Sequence, residues 1–128
     1  MSSGEIQVAK LLNEYNVKWS REAPLYELTT QAGGTPRMDF AIYDKNSNLL
    51  AYIEYQGIQH YKDLGFFGKQ AREETDRMKK DYCVQKHIPL FEIKYDADVP
   101  QVVKSILSTL MLIPCQASDM DEGVTTIP

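Results

Sequence analysis

Apolar residues at Val8, Leu11, Leu12 and Tyr15 recur at i, i+3, i+4 and i+7, which predicts an amphipathic helix over residues 5–16 capped by Ser2 or Ser3. A short strand over 25–30 is expected next, closed by the turn-rich QAGGTP. Two β-rich runs, 37–43 and 49–55, flank Lys45-Asn46-Ser47-Asn48, whose side chains favour tight turns, so they predict an antiparallel hairpin. The pattern breaks at Gly57. DLGFFGK reads as a loop, and residues 69–86, rich in charge and helix formers, as a helix. IPLFEIKY reads as a buried strand entered at Pro89. Val99, Val102, Val103, Ile106, Leu107 and Leu110 mark a closing helix over 99–112. The last stretch, PCQASDMDEGVTTIP, has no period and reads as a mobile acidic tail. The predicted order is α-β-β-β-α-β-α. It implies one α/β domain over residues 1–113, with a mixed central sheet of about four strands flanked by helices, and a flexible tail over 114–128.

Composition narrows the partners. With 128 residues and 43% hydrophobic content, the chain can bury one real core. No apolar run approaches the roughly 20 residues that span a bilayer, so no membrane partner is expected. The opening MSSGEIQ is polar and acidic, unlike a secretory leader, and Cys83 and Cys115 lack metal-ligand spacing. Both features predict a cytoplasmic protein with reduced thiols, in a bacterium or in the host of a phage or mobile element. A net charge of −4 argues against coating nucleic acid through broad positive charge. The basic residues nonetheless cluster at Lys69, Arg72, Arg77, Lys79, Lys80 and Lys86, which permits a local basic strip.

The candidate chemistry lies around the hairpin. Asp39 interrupts an apolar strand, where an unpaired carboxylate is expensive to bury. Glu54 follows fifteen positions later, near the end of the partner strand. Alternation puts Glu54 and Gln56 on one face and Tyr55 on the other. Two carboxylates in a half-dry place repel each other, and Mg²⁺ or Mn²⁺ relieves that repulsion, with the Tyr55 carbonyl as a further oxygen. Such an ion serves phosphodiester hydrolysis. His60, just past the Gly57 turn, titrates near neutrality and suits a general base, and Asp76 on the next helix can hold its ring. Lys79 and Lys80 lie at i+3 and i+4 from Asp76, within reach of a phosphate. Arg72 joins them, and Arg37 shares the face of Asp39. Gln56 either orients water or phosphate or merely satisfies a strand end. Phe66 and Phe67 either wedge into a base step or cover the helix behind them. His87 reads as a helix-end residue suited to the dipole.

The stretches SSGEIQVAKLL, RMDFAIY, IEYQGIQHY and ETDRMKKDYC, followed by IPLFEIKYD, resemble the PD-(D/E)XK nuclease superfamily. Within it they are most similar to the branch of the very-short-patch repair endonucleases and the EDxHD homing endonucleases. The resemblance covers about residues 3 to 96 and implies a restriction-endonuclease-like fold. It assigns the four lettered positions to Glu5, Asp39, His60 and Asp76, with Tyr55 and Gln56 around the unlettered one and Glu14 as the alternative to Glu5. It implies metal-dependent cleavage of DNA with His60 as general base. Cutting both strands would call for a homodimer. Gln56 stands where the broad superfamily keeps lysine. Two other functions remain open: a junction resolvase or repair nickase, and a nuclease-like module that binds nucleic acid or protein without cleaving.

Overall fold

A computed structural model describes residues 1–57, 65–114 and 125–127, with side chains described for 1–57 and 68–114. Its elements are α1 (Ser3–Glu14), β1 (Lys18–Pro24), β2 (Arg37–Tyr43), β3 (Leu49–Gln56), α2 (Gly65–Lys86), β4 (Leu90–Lys94), α3 (Val99–Thr109) and β5 (Thr125–Ile127). The expected α/β order is present. Four strands form a mixed sheet in the order β1-β2-β3-β4, and β5 extends it beyond β4. β1, β2 and β3 are antiparallel in turn, whereas β3 and β4 run parallel across the α2 crossover.

Strand alternation divides the core into two layers. Phe40, Ile42, Ala51, Ile53, Phe91 and Ile93 face α1 and α3, where they meet Val8, Leu12, Val103, Ile106 and Leu107. The opposite face carries Ala41, Tyr52 and Leu90, which pack in a second cluster with Leu25, Met38 and Cys83 of α2. This second face is smaller, and toward the ends of β3 and β4 it becomes polar at Glu54, Gln56 and Glu92.

Local chemistry sets the boundaries. Ser2, not Ser3, caps α1, its hydroxyl accepting the Glu5 N–H at 3.3 Å. All three helices end with a non-glycine residue in the left-handed region: Asn16 at φ 58, His87 at φ 59 and Met111 at φ 62. In each, paired backbone bonds close the turn, as with Ile88 N–H to Cys83 O at 2.9 Å and His87 N–H to Val84 O at 3.2 Å. The hairpin turn is organised by Asp44, whose Oδ1 accepts the N–H groups of Asn46 and Asn48, both at 2.9 Å.

Three expectations need correction. The first strand is Lys18–Pro24, not residues 25–30. KWSREAP escapes a hydrophobic scan because β1 is an edge strand with little to bury, while Leu25 is buried just past it, its N–H donating to Pro36 O at 2.9 Å and its carbonyl accepting from Leu28 N–H in a turn. The segment expected to be a loop holds the start of α2, which begins at Gly65 and so includes the backbone of Phe66 and Phe67. Within the expected tail, Thr125–Ile127 pairs antiparallel with Leu90–Glu92. Three residues suffice there because β4 offers an unpaired ladder edge.

Candidate active site at the ends of β3 and β4

The β2–β3 ladder runs inward from the hairpin turn to its last partnered pair, Phe40 and Ile53. Beyond it, side chains replace backbone partners. The Asp39 N–H donates to Glu54 Oε2 at 2.8 Å, and the Tyr55 N–H donates to Asp39 Oδ2 at 2.7 Å. Each carboxylate therefore satisfies the other strand's backbone, which fixes both side chains at the sheet end. Glu54 also receives Lys79 of α2, Nζ to Oε1 at 2.8 Å, with both side chains nearly desolvated at 13% and 14% exposure. On β4, Glu92 is the register partner of Glu54. It accepts from the Gln56 amide and lies 3.6 Å from Lys80 Nζ.

These groups surround one small cavity of about 130 Å³, lined by Asp39, Glu54, Tyr55, Gln56, Arg72, Asp76, Lys79 and Glu92. It opens at the carboxyl ends of two parallel strands, where open α/β sheets commonly place their ligands. Four acids face two bases, an excess of negative charge that is costly in a half-buried space. Asp39 carries the strain. Burial, then the charge of Glu54, push its carboxyl from 3.8 up to about 7. The Tyr55 N–H and Lys79 oppose that rise, and Glu5 adds to it.

Most of the expected residues meet here. Asp39, Glu54, Tyr55, Gln56, Arg72, Asp76 and Lys79 line the cavity, with Lys80 at its rim through Glu92. Glu5 is near enough for its charge to act on Asp39, because Gly4 lets the first turn of α1 lie against the Tyr55 ring. A Cβ at Gly4 would stand 2.0 Å from Tyr55 Cζ. Glu14 lies at the far end of α1, exposed. Arg37 does not reach the cavity: it is exposed and donates to the Glu22 carbonyl at 3.3 Å, drawn back along the β1–β2 pair. His60 and the side chains of Phe66 and Phe67 lie outside the described residues.

No family model, curated protein or solved structure matches the chain.

Glu92 was missed by sequence reasoning, although a signal was present. LFEIK buries its apolar residues on both faces, and a carboxylate inside such a run raises the same question as Asp39.

The donor chemistry suits a hard divalent cation. Among the described residues, no group of three histidine, cysteine or carboxylate side chains is arranged to hold a metal ion. The oxygen pair Asp39–Glu54, in a cavity with excess negative charge, matches what Mg²⁺ takes from a protein: one or two carboxylates, the remaining positions going to water and phosphate.

Proposed function

We propose that this chain is a Mg²⁺- or Mn²⁺-dependent endonuclease that hydrolyses the DNA backbone, a diverged relative of the PD-(D/E)XK nucleases in their histidine-containing branch. The observation that carries the reading is the meeting of Asp39 and Glu54, fifteen residues apart, beside Lys79, Arg72 and Asp76 in one cavity. Asp39 and Glu54 would hold the ion, with the Tyr55 carbonyl as a further oxygen. When bound, the ion supplies positive charge against the phosphate oxygens and the departing oxygen. Arg72 and Lys79 hold the phosphate in place, and Lys80 extends that grip along the backbone. In this reading an imidazole nitrogen of His60 would take the proton of the attacking water, Asp76 would hold that ring, and Glu5 adds negative charge beside Asp39.

The test is plasmid nicking with Mg²⁺, with Mn²⁺ and with chelator. Asp39→Ala and His60→Ala should each abolish cation-dependent nicking while the circular-dichroism spectrum stays unchanged. Full activity in either variant refutes the assigned role. Branched and mismatched substrates, cut faster than plain duplex, would make the enzyme a resolvase or repair nickase. One observation favours a module that binds without cleaving: both Glu54 oxygens are engaged by protein donors. Under that reading no cation changes the plasmid.

A further inference from the structure

Lys79 and Lys80 are sequence neighbours on α2, and each is paired with a different strand carboxylate. Their circumstances differ. Lys79 is 13% exposed and bonded to Glu54 at 2.8 Å, whereas Lys80 is 44% exposed and 3.6 Å from Glu92. An ammonium has three donors, but one paired with a desolvated carboxylate has its charge offset and its position fixed, and drawing it out to a phosphate would leave a buried charge alone, which is costly. Glu54 therefore decides whether Lys79 is available.

We propose that Lys79 is a phosphate-binding residue held in reserve by Glu54, and that a divalent cation taking the Glu54 carboxylate releases it to DNA. The inference rests on the endonuclease reading and adds to it an ordered site, in which the ion and the phosphate grip arrive together. Lys80, more exposed and only loosely paired with Glu92, which also holds the Gln56 amide, can turn to a phosphate in either condition. The exchange moves no covalent bond: Glu54 trades an ammonium partner for the ion, and the ammonium trades a carboxylate for a phosphate. Such a swap couples the two binding events, and the coupling is reciprocal.

The Glu54→Gln variant keeps an oxygen for the Asp39 N–H but removes the charge that retains Lys79. The experiment is fluorescence anisotropy of a short labelled DNA duplex with wild type, Glu54→Gln, Lys79→Met, the double variant and Lys80→Met, each in chelator and in Ca²⁺. In chelator, Glu54→Gln should bind about threefold tighter than wild type, with a salt dependence steeper by about 0.9 in log–log slope, one phosphate contact's share. Lys79→Met should cost wild type little in chelator but about threefold once Glu54→Gln is present, or once Ca²⁺ is added. Lys80→Met should weaken binding equally in both conditions. A long-range charge effect predicts instead that Lys79→Met costs the same in every background, and that additivity would overturn the inference while leaving the endonuclease reading in place. Melting temperatures of all variants identify any that fail to fold; the wild-type comparison of chelator with Ca²⁺ needs no variant and must show tighter binding with Ca²⁺. Absence of DNA binding in every form and condition would overturn the endonuclease reading and the inference with it.

Discussion

Asp39 is held where its charge is frustrated, so Asp39→Asn should stabilise the cation-free chain while removing the proposed nuclease activity. The ordinary carboxyl value of 3.8 is pushed up to about 7 in the folded state, by burial first and by Glu54 second. Because the folded value lies above the unfolded one, the folded protein binds the proton more tightly between the two. The stabilisation this proton provides is complete below pH 3.8 and lost as pH rises through about 7. Three pH units correspond to about 4 kcal/mol. Solvent at the rim of a partly open cavity screens some of that, leaving about 2 kcal/mol as the working expectation. Asparagine retains an oxygen for the Tyr55 N–H and carries no charge, so it escapes the penalty. Urea unfolding at about pH 4 and about pH 9 should show the variant gaining on wild type by about 2 kcal/mol at the higher pH and by much less at the lower. Added Mg²⁺ should then raise the wild-type midpoint and leave the variant's unchanged, since an ion that binds only the folded state stabilises it by mass action. A variant no more stable than wild type at about pH 9 would show that the carboxylate is not frustrated, and the argument for a cation there would fail.

Three further outcomes follow from packing and backbone. Gly4→Ala improves helix propensity yet places a methyl group against the Tyr55 ring, so it should destabilise the fold by about 1–3 kcal/mol in denaturant titrations and, on the proposed function, weaken nicking by displacing Glu5. An unchanged midpoint would mean that α1 sits farther from β3. Met111, 89% exposed at φ 62, has no packing to lose, so Met111→Gly should raise stability by about 0.5–1 kcal/mol in urea. Burial pushes the Cys83 thiol up to about 11, so in a Cys115→Ser background it should resist a thiol reagent at neutral pH until the protein unfolds. Reaction at the rate of a free thiol would contradict its burial.

Much of the architecture was legible because its causes are local. The helical spacing of Val8 and Leu12, the Asp44–Asn48 turn between two β-rich runs, and the apolar stripe of α3 each encode an element within a few residues. β1 was displaced to 25–30 because an edge strand needs little hydrophobicity, and Leu25 finds burial without being in a strand. Arg37 shared the face of Asp39 by alternation, but direction along the strand took its guanidinium to Glu22. The start of α2 read as a loop because its glycines weaken helix propensity, and the chain overrides that preference.

For the site, the sequence by itself determined which residues were too costly to be incidental. A carboxylate inside an apolar strand must be paired, and that rule singled out Asp39 and would equally have singled out Glu92. Only the tertiary structure decided the pairing. Strand register set Glu54 beside Glu92, the crossover of α2 brought Lys79 to one and Lys80 to the other, and the closeness of Gly4 to Tyr55 drew Glu5 toward Asp39. The reason is one of range. Burial cost is a property of a residue in its own segment, whereas the partner that offsets it comes from an element dozens of positions away, placed by the packing of two layers on one sheet.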